Sequence, residues 1–201
     1  MPGRTPRPDR FGYTGYGVAI VMPENVRQEV AKVREQPGLP ASTTPPHVTV
    51  KGTFADPTDL EEVIEITSAA AADTTPFAVE FGDLTVWDAH DRRIVVVSVM
   101  RSPELDRLHR RLMCGIGPIS TSVYLPDRPE PVEGFRFHLT LYQGADELRH
   151  ARGMQAARDL SLPARVEASG ISLFARVNRP AGHEWRQLQD FPFATRRPCG
   201  V

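Results

Sequence analysis

Two histidines, His47 and His138, each stand two residues before a threonine, Thr49 and Thr140. An imidazole with an ordinary pKa near ~6.5 can take or give a proton at neutral pH. On a strand, residues two apart share a face, so each hydroxyl lies beside its imidazole. Two such pairs on opposite sides of a substrate can divide the labour. One imidazole takes a proton from an incoming water, and the other gives one to the leaving oxygen. In-line displacement at phosphorus needs this geometry, because the attacking and leaving oxygens lie on opposite sides. The hydroxyls can donate to the non-bridging oxygens, where transition-state charge is spread. Neither strand carries an Asp or Glu to complete a metal set, so no metal and no cofactor is expected.

The segments around these residues read as strands. Residues 46–52 are rich in Val and Thr and bounded by proline and glycine. Strict alternation there puts His47, Thr49 and Lys51 on one face and Val48 and Val50 on the other. Residues 135–142 repeat the pattern. Arg136, His138, Thr140 and Tyr142 form the polar face, and Phe135, Phe137, Leu139 and Leu141 the apolar one. Lys51 and Tyr142 occupy equivalent positions. They read either as a phosphate contact and a stacking or hydrogen-bonding group, or as solvent-facing residues past the strand end. Arg136 reads as a phosphate ligand or as one more surface arginine. Phe54 can stack on a base, although packing in the core suits it better. Trp87 and Phe174 are assigned to the core, and His90, His109, His150 and His183 to the solvated surface.

The rest of the chain repeats one order: strand, helix, histidine strand, helix, strand. Residues 18–22 match 96–100 at an offset of 78, and His47 matches His138 at an offset of 91. Residues 84–87 match 171–174 at an offset of 87. The long, proline-rich loop 117–134, with Tyr124 and Arg128, absorbs the difference. It reads as a lid over a substrate or as an ordinary connection. A helix is expected over about 24–36, another capped by Asp56 with Pro57 in its first turn, a third from Ser102 to near Gly115, and a fourth over 145–160. Strands over 164–177 and 184–191 close the chain as a hairpin. The expectation is an α+β fold with pseudo-twofold duplication. Two lobes, 16–92 and 93–193, carry antiparallel sheets with helices outside, and a central cleft holds the two histidine motifs. Residues 1–15 are read as a disordered leader and 194–201 as a tail.

Composition is that of an ordinary globular domain, and 201 residues suffice for one buried core. The net charge of −1 argues against a long nonspecific nucleic-acid track, though not against a short RNA end. Lys32 and Lys51 are the only lysines among 24 basic residues. Cys114 and Cys199 lack metal or disulfide spacing, so reduced thiols and a cytoplasmic setting are expected. No apolar run approaches the ~20 residues of a membrane span. A duplicated chain supplies both sides of a cleft, so a monomer without an obligate protein partner is expected.

The two motifs, His47-Val48-Thr49-Val50 and His138-Leu139-Thr140-Leu141, resemble the paired H-x-T-x motifs of the 2H phosphoesterase superfamily. The wording around them, PPHVTVKGTF and FRFHLTLY, resembles its bacterial 2′-5′ RNA ligase / RNA 2′,3′-cyclic phosphodiesterase-like branch. The resemblance covers residues 16–193 and includes the duplication. It implies metal-independent opening of 2′,3′-cyclic phosphates to 2′-phosphates, on an RNA end or a small nucleotide. It also implies His47 as acid and His138 as base, with ligation as a reverse of the same chemistry. Other substrates compatible with the same residues are an ADP-ribose cyclic phosphate, a 2′-5′ oligonucleotide or a non-nucleotide phosphodiester. A non-catalytic RNA- or nucleotide-binding module is the alternative from outside enzymology.

Overall fold

The computed structural model describes residues 8–37, 44–89, 92–123, 132–144, 147–179 and 182–195. Residues 124–131 of the loop read as a lid, with Tyr124 and Arg128, as well as His90, Cys199 and the distal ends of the leader and tail, lie outside them. The described elements are β1 (Gly15–Val21), α1 (Glu24–Arg34), β2 (His47–Ala55), α2 (Leu60–Ala72), β3 (Phe77–Ala89), β4 (Arg92–Val99), α3 (Pro103–Ile116), a 3₁₀ turn (Gly117–Ile119), β5 (Thr121–Ser122), β6 (His138–Gly144), α4 (Glu147–Arg158), β7 (Arg165–Ala168), β8 (Gly170–Arg179) and β9 (Gly182–Pro192).

Helical spacing decides what the helices bury. α1 buries Val26, Val30 and Val33, and α3 buries Leu105, Leu108, Leu112 and Ile116. Ser102 caps α3 by accepting the Leu105 N–H at 3.1 Å. The start of α2 is three residues later than expected. Asp59 is its cap and accepts the Glu61 N–H at 3.2 Å. Asp56 instead turns the chain at φ 49°, a left-handed conformation that a short polar side chain tolerates.

All the strands join one antiparallel sheet in the order β7-β3-β4-β6-β2-β1-β8-β9, with β5 extending β2. The order is a mirror about the β6–β2 seam. At that seam the two histidine strands share one backbone pair, Val48 with Leu139. Elsewhere the ladders are long. β4 follows β6 from Ser98 to Arg93, and β1 follows β2 from Val21 to Tyr16. One sheet face carries Val18, Ile20, Val48, Val50, Val95, Val97, Leu139 and Leu141 into the core. The opposite face carries His47, Thr49, His138 and Thr140.

Two expectations need correction. The halves of the sequence are not the halves of the sheet, because each half's third strand crosses to the other side. β3, from the first repeat, pairs with β4, and β8, from the second, pairs with β1. β3 and β4 form a hairpin across the boundary between the repeats, whereas β1 and β8 pair residues far apart in sequence, which strand order alone did not reveal. Nor are residues 8–15 disordered. Asp9 accepts N–H bonds from Phe11 and Tyr13, and the Thr14 N–H donates to the Arg176 carbonyl at 2.8 Å.

Candidate active site

Each histidine is held the same way. His47 Nδ1 lies 2.8 Å from the Pro45 carbonyl, and His138 Nδ1 lies 2.8 Å from the Arg136 carbonyl. A carbonyl only accepts, so Nδ1 carries the hydrogen in the neutral ring. Nε2 is then the atom left to exchange a proton on both rings. Continuing the Val48–Leu139 register by one residue sets His47 opposite Thr140 and Thr49 opposite His138. The four side chains therefore form a twofold set on one face across the seam. Burial lowers both imidazole pKa values, against the carbonyl bonds that raise them. Nearby Arg34 and His138 lower His47 further, and Arg136 does the same to His138.

The polar stripe ends where the threonines end, and a bulge in each strand is the reason. Ala19 pairs with Thr49 and Val18 with Lys51, so Val50 is an extra residue. Val96 pairs with Thr140 and Val95 with Tyr142, so Leu141 is an extra residue too. One inserted residue reverses the alternation beyond it. Lys51 and Tyr142 thus stand opposite core valines rather than beside the His–Thr pairs. Lys51 is 2% exposed, with its ammonium 5.2 Å from the Phe54 ring centroid. Tyr142 is 5% exposed and donates to the His150 carbonyl at 2.8 Å, fastening β6 to α4. Burial pushes its phenol pKa up to about 12. Gly153 makes the fit possible, since a Cβ there would collide with the Tyr142 ring.

Phe54 is likewise in the core, fully buried and stacked on Tyr16 at 5.7 Å. Phe54→Ala is expected to cost about 3–5 kcal/mol of stability by denaturant unfolding. Substrate affinity of the folded fraction should not change. A weakened substrate affinity with intact stability would restore Phe54 to the binding surface.

Arg136 precedes β6 and is exposed. Its guanidinium lies over the Trp87 ring at 5.0 Å. Trp87 is not a core residue. It is half-buried, with its ring 4.4 Å from that of His138, edge-on. Phe174, its counterpart in the repeat, lies 6.0 Å from His47 but is buried. The core assignment holds for Phe174 and fails for Trp87, and both positions flank the ring of a motif histidine. The remaining histidines divide. His183 is exposed, as expected. His109 is 1% exposed, stacked on Phe135, with Nδ1 2.6 Å from the Val50 carbonyl. His150 is half-buried against Tyr142. Arg34 was not singled out by sequence. Its guanidinium donates to the Thr44, Thr140 and Leu141 carbonyls at 2.7, 3.0 and 3.0 Å. Among the described residues, no cluster of three or more His, Cys, Asp or Glu could hold a metal ion. Among them, too, no helix is long and apolar enough to cross a membrane.

The family model of the 2′-5′ RNA ligase superfamily matches residues 22–180, spanning both histidine strands. The chain belongs to that superfamily. It is the superfamily of the 2H phosphoesterases, and phosphoester chemistry is its broad activity class. The fold agrees with solved structures. E. coli LigT in its apo form is 17% identical at TM-score 0.60, over 90% of this chain and 97% of LigT. TT0787 of Thermus thermophilus is 14% identical at TM-score 0.65, over 91% of this chain and all of that one. E. coli LigT complexed with 3′-AMP is 17% identical at TM-score 0.58, over 89% and 97% of the respective chains. LigT has also been crystallised with NADP+, phosphate and ATP. No curated protein matches the chain.

Proposed function

We propose that this superfamily member is a metal-independent phosphodiesterase that opens a 2′,3′-cyclic phosphate, on an RNA end or a small nucleotide, to a 2′-phosphate. The observation that carries the reading is the twofold set of His47, Thr49, His138 and Thr140, with both Nδ1 atoms tied to carbonyls. His138 Nε2 takes a proton from water, whose oxygen attacks phosphorus. The P–O3′ bond breaks, and His47 Nε2–H protonates O3′. The 2′-phosphate remains, and solvent exchange returns each ring to its starting state. Thr49 and Thr140 donate to the non-bridging oxygens. Arg136, on Trp87, contributes positive charge and a flat surface at the rim of the His138 side. The acid and base assignment follows the family resemblance.

The test is hydrolysis of 2′,3′-cyclic nucleotides in EDTA, with 2′-5′ oligonucleotides and an ADP-ribose cyclic phosphate in the same panel. Turnover on no cyclic phosphate would remove the reading. Loss of turnover in EDTA would remove its metal independence.

The pH profile is a separate prediction. The base must be neutral and the acid protonated, and burial lowers the pKa of both rings. Lowering the base's pKa moves the acid limb of kcat/KM down, and lowering the acid's moves the alkaline limb down. The bell for free enzyme is therefore expected below about pH 6.5. A bound phosphodiester anion favours both imidazoliums, so the kcat bell should sit at higher pH than that of kcat/KM. Steady-state rates over pH 4.5–9 would check this, and a kcat/KM bell centred above the ordinary imidazole value would contradict it.

A further inference from the structure

The seam that brings the two histidines together is weakly paired, with one backbone bridge at Val48–Leu139. Two catalytic strands so loosely joined need something else to hold their separation. Two side chains, the partly buried Arg34 and the buried His109, cross the seam, and they do so in mirror fashion. Arg34 ends α1, which lies between β1 and β2 in the chain. Its guanidinium joins the Thr44 carbonyl, three residues before His47, to the Thr140 and Leu141 carbonyls of β6. His109 lies on α3, between β4 and β6 in the chain. Its ring packs on Phe135 and Phe137, just before His138, and its Nδ1–H donates to the Val50 carbonyl of β2. Each contact links the lead-in of one histidine strand to the bulge that follows the other strand's threonine.

The chemistry of the two groups suits this position. A bulge disrupts the ladder locally, and buried carbonyls there need donors from elsewhere. Arg34 supplies three donors in one rigid plane, so the three carbonyls it touches are fixed relative to one another. His109 supplies one donor on a ring stacked on Phe135 and set edge-on to Phe137. Both residues donate hydrogen bonds to backbone carbonyls. Their contacts therefore set where the strands lie, not merely how one side chain turns.

We propose that Arg34 and His109 are a pair of positioning residues that fix the spacing and register of the two histidine strands across the seam. Neither touches the reacting atoms. They hold His47 and His138 at the separation that in-line transfer requires, where a misplacement near 1 Å costs about 100-fold in rate. The kinetic consequence rests on the phosphodiesterase reading, whereas the structural one does not.

The test therefore has two arms on the full chain. Arg34→Gln and Arg34→Lys, His109→Leu and His109→Asn are made and their folding checked by unfolding curves. In the first arm, imidazole resonances of His47 and His138 are followed by heteronuclear NMR. Arg34→Gln is expected to move the His138 ring signals on the far strand, and His109→Leu those of His47. In the second arm, kcat on a 2′,3′-cyclic nucleotide is expected to fall about 10–100-fold in those two variants with KM nearly unchanged. His109→Asn keeps a donor near the Nδ1 position and should recover most of the rate. Arg34→Lys, with one ammonium for three carbonyls, should recover little. Ring signals at their wild-type positions in the folded variants would overturn the proposal, whether or not the protein turns over. So would a rate loss that merely tracks the unfolded fraction, or an increase in KM alone. A wild type inactive on every cyclic phosphate removes the function proposed above, and the NMR arm still decides the clamp.

Discussion

Replacing His47 or His138 with alanine is expected to lower kcat on a 2′,3′-cyclic nucleotide by about 10²–10⁴-fold, the range that a positioned proton carrier supplies. Folding should survive, because both rings face the open side of the sheet and neither belongs to the core. The two variants should differ in which limb of the pH profile they lose. With His138 as base, His138→Ala loses the acid limb. With His47 as acid, His47→Ala loses the alkaline limb. An exchange of limbs would reverse the roles and keep the mechanism. The double variant should be little worse than either single one, since the two groups act as a unit on one transfer. Near-wild-type turnover in either single variant would remove the two-histidine mechanism.

The threonines carry the second largest effect. Thr49→Val and Thr140→Val keep the shape and delete one hydroxyl each. Each is expected to reduce kcat by about 10²–10³-fold, the cost of losing one donor to developing negative charge. Valine suits both positions structurally. Thr49 pairs with Ala19 and Thr140 with Val96, both buried and apolar. Thr→Ser at either position keeps the hydroxyl and should retain most of the activity. If serine lost as much as valine, the methyl group would be the working part and the donor role would fall.

What could be read from sequence divides along a physical line. Local alternation and helical spacing suffice for β1, α1, β2 and α3, and for the placement of both His–Thr pairs on one face. The duplication predicted the pseudo-twofold relation of the two histidine strands, but not the order of the strands in one sheet. Everything that depends on a partner strand was hidden. A bulge exists only as a mismatch of register between two strands, so nothing within 47–55 or 138–144 marks Val50 or Leu141 as the extra residue. Strict alternation therefore put Lys51 and Tyr142 on the wrong side. Arg34 and His109 sit on helices with many charged neighbours, and their carbonyl partners across the seam are more than 50 residues away in sequence. Trp87 shows the opposite error. Its repeat position matched that of Phe174, but symmetry of position does not enforce symmetry of burial.

The crossing of β3 and β8 has a consequence for how this chain is made. Neither repeat can complete its own sheet, because each waits for a strand supplied by the other. During synthesis, β1 and β2 have no β8 partner until most of the chain has emerged. Pairs more than 150 positions apart, such as Tyr16 and Ala175, raise the contact order of the fold, and slow folding is the expected consequence. A cut between the repeats yields two interdependent fragments, not two small domains. Interlacing of this kind couples the order of each half to that of the other, and the strands that carry the two His–Thr pairs are flanked on one side by a strand from each repeat.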